Sequence, residues 1–119
     1  MDTAAFLAQD YWVVLWRPVA GTSADQIAEH LDAHLAWMLD LERAGQVLAS
    51  GPLLEGPGTA PGTGLSIFRA ADAAAAADLA RQDPFVLAGL RGFDVLRWRL
   101  MEGSLTVRLS FGTSTYQLD

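Results

Sequence analysis

Residues 11–17, YWVVLWR, constrain the fold more than any other stretch of this chain. Their aromatic and β-branched side chains predict a strand, and Pro18 ends it because proline cannot donate to a ladder. Side chains alternate across a strand, so Tyr11, Val13 and Leu15 fall on one face and Trp12, Val14 and Trp16 on the other. Neither face is polar. Such a strand belongs inside a sheet that is covered on both sides. A chain of 119 residues makes one domain with a modest core, so its own helices can cover one side only.

The next stretch predicts those helices. Ile27, Leu31, His34 or Leu35, Met38 and Leu41 recur at steps of three and four, one face of a helix over about residues 24–44. Ser23 is its N-cap, Asp25 and Glu29 favour the positive end of the helix dipole, Arg43 favours the last turn and Gly45 stops it. Both histidines lie on this helix, His34 in the apolar stripe and His30 one turn earlier. A neutral imidazole packed against a sheet needs a hydrogen-bond partner, since an orphaned buried polar group costs about 1–3 kcal/mol.

Residues 46–52 (QVLASGP) read as a second strand, 54–63 as a Gly/Pro loop beside a site, and 64–70 as a third strand. An alanine-rich helix spans 72–81, opened by Asp72. Asp83 then caps a short helix, 84–88, with Pro84 at its first position. A fourth strand covers 93–100, a turn follows at Glu102-Gly103, and 104–111 reads as a fifth strand. Residues 1–10 read as a loose N-terminus or a short helical turn, and 112–119 as a tail. The order β-α-β-β-α-β with an added C-terminal strand predicts an α+β, ferredoxin-like fold, an antiparallel sheet with both helices on one face. The second face is apolar, and a second copy of the chain is its simplest cover. The expectation is a homodimer through the open sheet face, burying Trp12, Val14 or their neighbours.

A net charge of −6, without clustered cations, argues against nucleic acid and anionic membrane surfaces. All eight cationic residues are arginine, and there is no cysteine, which removes disulfides and thiolate chemistry. No basic segment precedes a long apolar run, and the longest apolar run, 11–16, is far short of a membrane span. The expectation is a cytoplasmic protein.

Three features together resemble the YciI-like (YCII-related) family: His34 eleven residues before Gly45, the segment AGQVLASGPL after it, and Asp83-Pro84-Phe85. The resemblance runs from Tyr11 to Trp98. It implies the dimeric α+β barrel and an active site built from the helix histidine and the aspartate of the DP motif, here His34 and Asp83. This chain has Leu31 where members often carry an arginine, three residues ahead of the histidine, and it continues past the usual end after Gly103.

A histidine beside a carboxylate can act as a general base, the carboxylate setting its tautomer. The plainer reading leaves Asp83 a helix cap and His34 a satisfied core histidine. The topology brings the two helices to one sheet face. It predicts a pocket between His34, the strand end Ser50-Gly51-Pro52 and Asp83–Phe85, with Gly51 letting a ligand or Phe85 approach the backbone. His30 and His34 have the spacing of two metal ligands, with Asp83 as a third candidate. Without HExxH or cysteine, no metal site is expected. The glycines at 56, 58, 62 and 64 form no nucleotide fingerprint, and Ser50 sits in no GxSxG elbow, so no cofactor and no serine nucleophile are expected. Arg17, Arg97 and Arg99 offer either a cationic rim or a solvated strand face. The tryptophans read as core or interface.

The functional expectation is a cofactor-free enzyme of lyase or isomerase type acting on a small cyclic or aromatic acid. The alternative is a non-catalytic small-ligand-binding or dimeric scaffold protein. A third reading is a monooxygenase-like protein of the same barrel shape.

Overall fold

The two-faced strand lies inside a four-stranded antiparallel sheet. In the computed structural model, which describes residues 1–4 and 6–119, β1 (Gln9–Pro18) pairs with β3 (Gly64–Phe68) on one side and β4 (Arg91–Leu100) on the other. β2 (Val47–Pro52) forms the edge beside β3, giving the order β2-β3-β1-β4. This is the split-βαβ arrangement that the element order predicted. Gln9 extends β1 into the segment read as a loose N-terminus, of which Ala5 lies outside the described residues.

α1 (Ala24–Arg43) forms where the apolar period placed it. Ser23 and Gln26 make a reciprocal capping box, and Gly45 takes φ +74° just past the C-terminus, a conformation that costs glycine little. α2 (Ala73–Ala80) is capped by Asp72, and α3 (Pro84–Leu87) by Asp83. Alanine suits α2 because Ala76 and Ala80 are fully buried, with no room for a longer side chain.

The helices cover the face that carries Trp12, Val14 and Trp16. Val14, Trp16, Phe68, Met38, Leu41 and Ala80 make the core. Alternation could not say which face this would be. The dimer surface expected at Trp12 and Val14 is therefore corrected: these residues pack inside the protomer. The open face carries Val13, Leu15, Leu65 and Ile67, half-buried, with Leu96 and Trp98 exposed. Tyr11 is buried there under Trp98, ring centroids 6.2 Å apart, and under the Arg69 guanidinium.

The C-terminal segment does form a strand, β5 (Val107–Ser110), but it does not join the main sheet. It pairs with β6 (Thr115–Leu118), which lies in the stretch read as a tail, and the two make a separate hairpin. Leu109, Phe111 and Tyr116 are largely exposed on it. Among the described residues, no helix is long and apolar enough to cross a membrane.

Candidate active site

Sheet register gathers one end of all four strands. Trp16 pairs with Gly64 and Phe93, Pro52 with Gly64, and Pro18 with Arg91. So the end of β1, the end of β2 and the starts of β3 and β4 lie side by side. α3 immediately precedes β4 and delivers Asp83 and Phe85 to the same end. α1 crosses above, and its face offers His34. Between them lies a cavity of about 250 Å³.

His34 Nδ1 lies 2.7 Å from Asp83 Oδ1. The same oxygen accepts the Phe85 backbone N–H at 3.3 Å, and Asp83 Oδ2 accepts Arg91 Nε at 2.8 Å. Asp83 is 0% exposed, so these donors alone replace its hydration. Burial pushes the Asp83 carboxyl up, but the hydrogen bond from His34 and the Arg91 charge outweigh it and hold the group below its ordinary value. The carboxylate is therefore ionised and accepts only. The His34 proton must sit on Nδ1 whether or not the ring is charged. A neutral ring then presents the Nε2 lone pair. The His34 side chain is 13% exposed and lines the cavity, whereas Asp83 is sealed behind it. Only the histidine of this pair can touch a ligand, and Asp83 orients it.

Aromatic contacts hold the imidazole. Phe85 stacks on it with centroids 4.6 Å apart and planes 25° apart, and Trp37 lies 5.9 Å away. The cap and the cavity wall thus come from one motif: Asp83 binds the histidine and Phe85, two residues on, packs its ring.

The structure brings Ser50, Gly51 and Pro52 to the cavity wall with Phe85. A Cβ at Gly51 would meet nothing within 4 Å, so the backbone there is open to a ligand and Phe85 does not press on it. Leu31 and Leu35, expected against the sheet, are exposed and line the cavity instead, because α1 overhangs the sheet end. His30 stays apart from His34's partner: its Nδ1 bonds the Gln26 carbonyl at 3.1 Å. Among the described residues no group of three or more His, Cys, Asp or Glu side chains is placed to hold a metal ion. Arg17, Arg97 and Arg99 make no rim to this cavity. Arg17 pairs with Asp94, and Arg97 and Arg99 converge on Asp10, which together they hold well below the carboxylate range.

Two residues of the site went unread in the sequence. Arg91 is 5% exposed in its side chain. Besides Asp83, its Nη1 donates to the Gly62 carbonyl at 3.1 Å, and its guanidinium lies over Trp16 at 4.1 Å and Phe85 at 4.7 Å. Burial lowers its pKa, and the neighbouring carboxylate raises it in part. The signal was alternation. Arg91, Phe93 and Val95 step by two onto the inner face, but β4 was read from residue 93 onward. Ser66 is fully buried, accepts the Trp16 indole N–H at 2.8 Å and lies 2.7 Å from Ser50 Oγ. Its signal was a polar residue between Gly64 and Phe68 on an inward-facing strand position.

The fold agrees with what comparison shows. The chain matches the YCII-related domain over residues 11–99. The protein belongs to the YCII-related family. The C-terminal hairpin falls outside the matched region. Among solved structures it is similar to 5-chloro-2-hydroxyhydroquinone dehydrochlorinase from Burkholderia phenoliruptrix, determined in complex with 2,5-dihydroxybenzoquinone. That similarity has a TM-score of 0.60 at 23% identity and covers 78% of this chain and 95% of the other. At this identity it establishes the shared fold. No curated protein matches the chain.

Proposed function

We propose that this YCII-related protein is a small-molecule enzyme of lyase or isomerase type, acting on a small cyclic or aromatic acid without a cofactor. His34 is its general base and acid. The observation that carries the reading is the 2.7 Å hydrogen bond that commits the His34 proton to Nδ1, on a ring that lines the cavity, and so leaves Nε2 as the free base. In this reading Nε2 takes a proton from a carbon next to a carbonyl, or from a ring hydroxyl. The electron pair left behind either moves to another atom of the substrate or expels a leaving group as an anion. The imidazolium, stabilised by Asp83, returns the proton to the rearranged product or to solvent. Such positioned proton transfer contributes about 10²–10⁴ in rate. A similar fold houses a dehydrochlorinase with a bound dihydroxyquinone, which supports an elimination on a ring of this kind.

The test uses 2,5-dihydroxybenzoquinone in deuterated buffer, with exchange at its ring carbons followed by proton NMR. The wild-type protein is expected to accelerate exchange and His34→Ala to lose that acceleration. Exchange no faster than in buffer, or equal in the variant, refutes the base and leaves a cavity that binds without turnover.

The same reading includes a homodimer through the open face of Val13, Leu15, Leu65, Ile67, Leu96 and Trp98. An apolar patch of this kind on a sheet face needs cover, and a self-complementary copy supplies it. Sedimentation velocity at micromolar concentration is expected to show a dimer that Leu96→Glu dissociates; a monomeric wild-type protein rules it out.

A further inference from the structure

We propose that Arg91 and Ser50 form an anion-recognition edge in the His34 cavity, and that the ligand is a flat molecule bearing a carboxylate or phenolate oxygen there. The inference rests on the proposed function only in taking this cavity as the ligand site.

Three observations carry it. First, Arg91 Nη2 is buried and has no hydrogen-bond partner among the described residues, although Nε and Nη1 are both paired. Guanidinium donors enclosed away from water are normally all matched, because an orphan is costly. The residue belongs to the cavity wall, so an acceptor oxygen that arrives there and draws the guanidinium toward it is the partner this donor lacks.

Second, buried Ser66 and its exposed neighbour Ser50 point the same way. Ser66 Oγ already accepts from Trp16 Nε1, and it has one proton of its own to place. Ser50 Oγ, at 2.7 Å, is the acceptor within its reach among the described residues. Ser66 therefore donates to Ser50, and the Ser50 proton is left for the cavity that Ser50 lines. The order Trp16 to Ser66 to Ser50 polarises that last hydroxyl as a donor.

Third, the cavity differs in charge from the rest of the molecule. The chain carries −6, yet no Asp or Glu is among the residues lining the cavity, and its charged side chain is Arg91. Asp83 is screened behind His34. The apolar walls, with Trp16 and Phe85 clamping the guanidinium, suit a flat ring whose oxygen lies in the guanidinium plane. Gly64 keeps that clamp open. A Cβ there would sit 3.3 Å from the Trp16 ring and 3.6 Å from Arg91 Nη1.

The test is calorimetric titration of the full-length protein with benzoate and with neutral, nearly isosteric benzamide at neutral pH. Benzoate is expected to bind at least roughly tenfold more tightly, the weight of a charge-assisted hydrogen bond. Arg91→Lys keeps a counter-charge for Asp83 but loses the planar fork, and should weaken benzoate roughly tenfold or more. Ser50→Ala removes a neutral donor and should weaken it about three- to tenfold. Arg17→Ala, at a residue that pairs with Asp94 and is not part of the cavity lining, should leave benzoate binding unchanged. Should Arg91→Lys fail to fold by circular dichroism, the wild-type ratio and Ser50→Ala decide. Equal affinity for benzoate and benzamide, no benzoate binding, or unchanged binding in Ser50→Ala and any folded Arg91→Lys overturns the proposal. The deuterium-exchange result with His34→Ala is independent of these titrations. Exchange that depends on His34 in a protein indifferent to ligand charge would fell this inference alone. Charge-selective binding without exchange would fell only the enzyme reading.

Discussion

Asp83→Asn is the substitution that separates the two jobs of this carboxylate. In the native protein Asp83 is enclosed and accepts three hydrogen bonds, from His34, Phe85 and Arg91. Asparagine is nearly the same size and keeps one carbonyl oxygen, so packing changes little. Its charge is gone, and Arg91 remains buried beside it without a counter-ion. Removing one partner of a buried pair typically costs about 3–5 kcal/mol. For a domain of this size that corresponds to a fall in melting temperature of roughly 10–20 °C. The pH dependence adds a second signature. The Asp83 pKa is depressed in the fold. Its contribution is therefore complete above the unfolded value of about 3.9 and is lost as pH falls through the lower folded value. Wild-type stability should fall toward acid partly through this group, whereas Asp83→Asn should lack that component. Its deficit is then largest near neutrality and shrinks below about pH 4. Thermal melts at neutral pH and urea denaturation at neutral pH and near pH 3, both followed by tryptophan fluorescence, measure the two effects. A variant that melts within a degree or two of wild type, or a deficit that stays constant with pH, refutes the ionised, triply bonded carboxylate. Activity in the exchange assay should drop as well, by about 10²–10⁴, because an amide that donates to Nδ1 selects the opposite tautomer and blocks Nε2.

Further outcomes follow from the same contacts. Ser66→Ala leaves the buried Trp16 indole N–H without its acceptor, and chemical denaturation should show a loss of about 1–3 kcal/mol. Gly62→Ala must adopt φ +98° and place its Cβ 3.0 Å from Ile27, so a loss of about 1 kcal/mol or more is expected in thermal melts, with the Arg91 bond to the Gly62 carbonyl disturbed. Phe85→Ala removes the stack on His34 and one face of the Arg91 clamp, and should cost about 3–5 kcal/mol in the same assay. Leu109→Ser in the separate hairpin should change main-domain stability by no more than about 0.5 kcal/mol; a larger loss would show that β5 packs on the sheet.

Much of the fold was legible because it depends on local chemistry. The stripe of α1, the caps at Ser23, Asp72 and Asp83, and the glycine stop at Gly45 are decided within a few residues of one another, and the helices follow. The pairing of His34 with Asp83 was legible as a motif, and the fold brings the two residues to hydrogen-bond distance. Three things needed the tertiary structure. Both faces of β1 are apolar, so alternation fixes which residues share a face but not which face meets the helices; that depends on where α1 and α2 pack. The last strand was visible, but its partner was not: an apolar run reads the same whether it extends a sheet or folds back on β6. Arg91 and Ser66 were missed for the same reason. By themselves they are an arginine and a serine in strands, and only the register that sets Pro18 opposite Arg91 and Val14 opposite Ser66 turns them inward, Arg91 to the cavity wall and Ser66 behind Ser50. Local propensity and period determine the elements, while burial of a charge or hydroxyl is a property of what the other strands and helices place around it.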